Sequence, residues 1–130
     1  MAYQSIHRFA RISPQKARLV VDLIRGRDYD EAMSLLEFSK LRASMFVRNA
    51  LRAAWHNADQ AEADTRSLYV SEAFVNEGPT IKRFQPKDRG RAHPIHKRTC
   101  HIHVAVEERI DQTPPAPAEA EAQAQPQAAE

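Results

Sequence analysis

The sequence predicts an α+β fold, on three observations. Residues 14–63 carry a run of amphipathic helical segments with no strand between them. Two alternating stretches, LYVSEAFV (Leu68–Val75) and TCHIHVAVEE (Thr99–Glu108), follow and read as strands. A weaker alternation opens the chain at AYQSIHRFAR (Ala2–Arg11). Helices grouped in one run and strands in another indicate α+β architecture, not an alternating α/β one.

Each element has its own local warrant. In the opening stretch Tyr3, Ser5, His7 and Phe9 alternate with Gln4, Ile6, Arg8 and Ala10. ISPQKARLVVDLIRG predicts a first helix from about Pro14 to Arg25. Ser13 suits its cap, Pro14 its first position and Gly26 its stop, while Ala17, Val20, Val21 and Ile24 form the apolar stripe. Asp28 and Glu31 have capping-box spacing before a short second helix, which turns Ala32, Leu35 and Leu36 inward and ends near Phe38 or Ser39.

The third helix is expected from about Lys40 to Ala63. Val47, Ala50, Leu51, Ala54, Trp55, Ala58 and Ala61 share one arc, and the core is the expected place for Trp55. Arg42, Arg48, Asn49, Arg52 and His56 share the opposite arc with hardly an acid among them. A solvated helix normally mixes signs to gain pairs one turn apart, so a one-signed face suits a polyanion or acids elsewhere in the fold.

In the last strand Cys100, Ile102, Val104 and Val106 form one face, and Thr99, His101, His103 and Ala105 the other. Leu68–Val75 is its natural antiparallel partner. Between them lies KRFQPKDRGRAHPIHKR (Lys82–Arg98), with seven Lys or Arg and one Asp among seventeen residues. Hairpin loops usually take two to five residues, and a connection this long is normally functional or disordered.

Composition divides the chain near Asp111. Residues 111–130 hold four acids, four Pro, seven Ala and no Lys or Arg. That tail cannot recover the entropy of ordering and is expected to be disordered. Residues 1–110 form one expected domain, carrying all 19 Lys and Arg against 13 Asp and Glu. The N-terminus lacks an apolar run suited to a signal peptide or membrane span, and Cys100 is the single cysteine, so a reducing, cytoplasmic setting is expected.

One-signed charge recurs in three places: Arg8, Arg11, Lys16, Arg18, Arg25 and Arg27 near the start, the outer arc of the third helix, and the long loop. Guanidinium groups pair bidentately with phosphates and stack on bases, so a polyanion is the expected partner. RNA suits a long basic arm better than a regular DNA groove does. His93, His96, Cys100, His101 and His103 invite a metal, but Cys100 points away from His101 and His103, and no metal or other cofactor is expected. Neither a phosphate-binding loop nor a nucleophile elbow appears, and no catalytic residue is expected. The competing reading is a free-standing basic adaptor binding proteins, or another RNA, through the third helix and the tail.

RISPQKARLVVDLIRG (Arg11–Gly26), LYVSEAFVNEGPTIKRFQPKDRGRAHPIHKRT (Leu68–Thr99) and HIHVAVEER (His101–Arg109) together resemble the bacterial large-subunit ribosomal protein L22 family. EGPTIKRF and RGRA followed by KRT are the most specific stretches, and the resemblance covers about residues 3–110. It implies three helices packed on a three-stranded antiparallel sheet, with a long β-hairpin at about 78–98 projecting from this body. It also implies a structural protein that binds large-subunit (23S) rRNA, assists subunit assembly, and lines the nascent-peptide exit tunnel.

On that pattern Arg89, Gly90 and Arg91 match the tunnel-lining tip, beside the nascent polypeptide. Lys82, Arg83, Lys87, Lys97 and Arg98 match the rRNA-holding stem, and Ser13, Lys16 and Arg18 the start of the first helix. Arg11, Arg25, Arg48 and Arg52 complete the expected RNA-binding set. Neighbouring ribosomal proteins are the other implied partners; neither a membrane nor a homo-oligomer is expected. Gln15 departs from the family pattern at the start of the first helix, and Gln85, Asp88 and HPIH (His93–His96) depart from it in the arm, making the arm less cationic. Pro94, lacking a donor, is expected to interrupt stem pairing, and the free arm is expected to be mobile until RNA orders it.

Overall fold

The structure, a computed structural model, describes residues 1–109; the expected C-terminal tail lies outside the described residues. The chain runs β1 (Tyr3–Ala10), α1 (Pro14–Ile24), α2 (Tyr29–Phe38), α3 (Ala43–Gln60), β2 (Leu68–Glu77), β3 (Ile81–Pro86), β4 (Ala92–Lys97) and β5 (Cys100–Glu108). β5 is the centre of a three-stranded antiparallel sheet ordered β1-β5-β2, while β3 and β4 pair as a separate two-stranded ribbon. The α+β class, the three helices and the antiparallel pairing of the two late strands are as the sequence predicts.

The helices cover one face of the sheet. Val20, Val21 and Ile24 of α1, Val47, Leu51 and Ala54 of α3, and Val70, Ile102, Val104 and Val106 of the sheet are all buried in one core. Burying such side chains supplies about 1.5–3 kcal/mol each before the entropy of ordering is set against it. Trp55 is only partly buried, packing against the core from its edge with its ring 5.9 Å from that of Tyr29.

Two expected caps take other partners. Ser13 holds the cap position of α1, but its side chain makes no capping bond; the backbone carbonyl accepts from Lys16 and Ala17 N–H instead. Asp28 likewise caps α2 by position alone. Its carboxylate pairs with Arg109 at 3.2 Å, and Glu31 pairs with Arg27 one turn back, so the reciprocal box does not form. α3 is shorter at both ends than its periodicity suggests. Ser44 Oγ donates to Leu41 O at 2.7 Å before the first turn, and Glu62, with φ +58°, reverses the chain after the last.

β1 departs from simple alternation. His7 pairs with Ile102 and Ala10 with Cys100, so β1 spends one residue more than β5 over this interval. Phe9 occupies the bulge with φ +55°, its N–H donating to His101 Nδ1 at 3.0 Å. The bulge resets the alternation, so that Ala10 is buried and Phe9 exposed.

The long connection is a regular ribbon. Register runs unbroken from Ile81 opposite Lys97 to Pro86 opposite Ala92, with Pro94 directly across from Phe84. The expected interruption at Pro94 does not occur. Lys87 N–H points across the ribbon to Arg91 O at 2.7 Å, and donors alternate inward and outward along a strand. Positions 84, 86, 92 and 94 therefore aim their nitrogens outward, where both prolines forfeit no ladder bond. At about 3.3 Å per residue the ribbon carries its tip roughly 25 Å from its base. Almost every ribbon side chain is exposed; only Ile81 and Ile95 are half-buried.

At the base, Gly78 N–H donates to Thr99 O at 2.9 Å and Thr99 Oγ1 donates to Pro79 O at 2.6 Å. Thr99 is buried there at 5% exposure, clasping the ribbon to the body.

Candidate nucleic-acid interface

Where the ribbon leaves the body, four separate stretches of chain close on one groove of about 470 Å³. Arg11, Ile12 and Ser13 come from the β1–α1 turn, Lys16 from the first turn of α1, Arg42 from the start of α3, and Ile81, Lys97, Arg98 and Thr99 from the ribbon's root. Five of these nine side chains are cations and none is an acid. The Ser13 hydroxyl, unused in capping, is available as a donor at the wall. Charge-assisted bonds from such a set are strongest toward phosphate oxygens.

The ribbon extends this charge outward. Lys82 and Arg83 follow Ile81 on β3, and Lys87, Arg89 and Arg91 gather at the tip. Arg89 and Gly90 take φ +60° and +70° in succession to turn the chain. Glycine adopts this region freely, whereas an Arg held there costs about 1 kcal/mol.

Other cations predicted for RNA have partners within the fold. Arg25 donates to Ala73 O through Nε and an amine at 3.1 and 2.6 Å, and pairs with Asp22 at 3.0 Å. Arg18 reaches Val75 O at 3.4 Å and Glu77 at 3.9 Å. Both arginines occupy outward carbonyls of β2, an edge strand of the sheet. Arg48 lies 4.0 Å from Glu37, with its Nε buried and unpartnered. Arg52 lines a different cleft, with Tyr29, Asp30, Trp55, His56, Thr65 and Arg66.

The groove thus brings together Arg11, Ser13, Lys16, Lys97 and Arg98 of the predicted set. Arg42 belongs with them and was outside it, although it stands on the one-signed arc of the third helix; Ile12, Ile81 and Thr99 had no signal beyond apolarity or position. Burial pushes the Cys100 thiol above its ordinary pKa, and Cys100 faces the core while His101 and His103 face away from it. Among the described residues no three His, Cys, Asp or Glu side chains are grouped to hold a metal ion, and no helix is long and apolar enough to cross a membrane.

Comparison with known proteins identifies the family. A family model described as ribosomal protein L22p/L17e matches residues 5–107. The chain is 52% identical over 105 residues to large ribosomal subunit protein uL22 of Lactobacillus helveticus, covering 80% of this chain and 90% of that one. It is 51% identical over 100 residues to the protein of the same name from Lacticaseibacillus casei, covering 76% and 86%. Large ribosomal subunit protein uL22c of Pyropia yezoensis is 45% identical over 106 residues, covering 81% and 91%. The match spans the whole body, the ribbon and its root, and the chain belongs to the ribosomal protein L22p/L17e family, a family of ribosomal structural proteins and not of enzymes.

Proposed function

We propose that this chain is a structural constituent of the large ribosomal subunit that binds large-subunit rRNA, supports assembly of the subunit, and lines the nascent-peptide exit tunnel with its ribbon. The observation that carries the reading is the acid-free, five-cation groove at the ribbon's root. The body docks through this groove, with Arg11, Lys16, Arg42, Lys97 and Arg98 on phosphates. Lys82, Arg83 and Lys87 hold rRNA along the stem, and Arg89, Gly90 and Arg91 stand at the tunnel wall beside the emerging polypeptide. RNA takes the place of a core for a ribbon that has none of its own.

The test is binding of the full chain to a large-subunit rRNA transcript across a salt series. Each phosphate contact contributes about 0.7–0.9 to the slope of log K against log salt. Replacing Lys97 and Arg98 by Ala is expected to flatten that slope by roughly 1.4–1.8. Absent or salt-independent binding to the transcript, together with protein partners from lysate that stay bound to the chain after ribonuclease, would favour the protein-adaptor reading instead.

A further inference from the structure

The helices cover one face of the three-stranded sheet and leave the other open. Strand register sorts that open face into rows. Nearest the ribbon, Phe9 and Arg8 of β1 flank His101, opposite Asn76 of β2. In the next row Ile6 stands across from His103, and His103 across from Phe74. Beyond these come Gln4, Ala105 and Glu72, then Glu107 with Tyr69, whose hydroxyl donates to the Glu107 carboxylate at 3.0 Å.

The two halves of this face differ in chemistry. The rows near the ribbon hold the rings and one cation, Arg8; the acids begin one row beyond Phe74, with Glu72, which borders the same hollow as Phe74 and His103. Phe74 lies flat on His103, with centroids 4.6 Å apart and an interplanar angle of 11°. Phe9 meets His101 edge-on at 4.8 Å. Phe9, Phe74 and Ile6 are 60%, 43% and 41% exposed, which is unusual for three large apolar side chains in neighbouring rows. Ile6, Arg8, Phe9, His101 and His103 border a depression of about 220 Å³ between the rings.

This half of the face also shares an edge with the cationic groove. Arg11 of the groove is two residues beyond Phe9, just past the end of β1, and Thr99 is two residues before His101, just ahead of β5. A strand of RNA whose phosphates lie in the groove therefore reaches the rings without leaving the protein. A polypeptide partner would gain from the apolar area but not from Arg8 or from that continuity of positive charge.

We propose that the ring-bearing half of the open sheet face is a base-stacking platform for two unpaired nucleotides of the RNA held in the groove, one over the Phe9–His101 pair and one over the Phe74–His103 pair. Every base has a π-face, so stacking tolerates sequence, and an exposed sheet carrying aromatic rings is a known physical solution for splayed bases. This rests on the rRNA-binding reading above, and deepens it by separating phosphate contacts from base contacts.

The test uses the full chain and the same large-subunit rRNA transcript, with wild type, Phe9→Ala/Phe74→Ala and Phe74→Tyr compared over the salt series. Stacking predicts that the double variant binds at least about tenfold more weakly with an unchanged salt slope, and that Phe74→Tyr retains wild-type affinity. Ultraviolet crosslinking of the wild-type complex should place RNA on peptides containing Phe9 and Phe74. Thermal melting of each variant checks the fold, which exposed positions should leave intact. Wild-type affinity in the double variant, or crosslinks confined to the groove and ribbon, would overturn the proposal whether or not a protein occupies the face. Absence of salt-sensitive rRNA binding by wild type would instead sink the rRNA reading itself.

Discussion

Substituting Gly78 by Ala tests how the ribbon is joined to the body. A Cβ built at this position meets Thr99 Oγ1 at 2.5 Å and the Thr99 carbonyl carbon and oxygen at 3.2 Å each. Turning the Thr99 side chain away would relieve only the first contact, and would break its 2.6 Å bond to Pro79 O. Gly78 is not among the positive-φ residues, so the penalty is steric and not conformational. Overpacking of this kind costs about 1–3 kcal/mol, and a lost hydrogen bond adds about 0.5–1.5. Loss of glycine's freedom in the unfolded chain returns about 0.4–1 kcal/mol. The net is on the order of 2 kcal/mol, which for a domain of this size lowers Tm by roughly 8–16 °C.

Thermal unfolding by circular dichroism reads the effect directly. A Thr99→Ala background removes the 2.5 Å contact, so the double variant should lose less than the two single variants added together. Strict additivity, or an unchanged Tm in Gly78→Ala, would refute the clasp. Gly90→Ala is the contrast: nothing lies within 4 Å of its Cβ, and only its φ of +70° resists. That strain, about 1 kcal/mol, is confined to the tip and should leave the body's melting temperature nearly unmoved.

Arg25→Ala should cost about 1–2 kcal/mol in chemical denaturation, because Ala73 O loses both of its guanidinium bonds at a half-exposed site. Lys16→Ala, at an exposed groove position, should stay within about 0.5 kcal/mol of wild type while weakening rRNA binding. The His103 pKa is lowered by burial first and by His101 and Arg8 after it. The unfolded chain therefore takes up that proton more readily, so His103 has no effect on stability above about pH 6.5 and destabilises the fold progressively as pH falls below it. His103→Gln should melt with a shallower pH dependence across that range; an identical profile would rule the effect out.

Much of the body was legible because its signals are local. Pro14, the apolar stripe of α1 and Gly26 are all readable within fifteen residues, and β5 alternates cleanly because one face is core. The β1 bulge was not legible: Phe9 at φ +55° is a conformation that the residue type does not announce, and His101, the partner that fixes it, is 92 residues away. Charge told where cations are, not what they are spent on. Arg18 and Arg25 look like Lys16 in sequence, yet only the fold brings the β2 carbonyls beside them. The groove had the same difficulty in reverse, since its walls come from residues 11–16, 42, 81 and 97–99. Pro94 was misread by treating the ribbon as though it were an interior strand.

The placement of those prolines has a consequence for what the ribbon does not do. A two-stranded ribbon is edge on both sides, and an exposed edge is a template on which an extended chain can add itself as a third strand. Pro86 on β3 and Pro94 on β4 each remove an outward donor, one from each side. A polypeptide lying alongside finds a gap in the hydrogen-bond pattern whichever edge it tries. On the tunnel-lining role proposed above, the ribbon must let emerging chains slide past, and the two missing donors disfavour its recruitment into their first sheet.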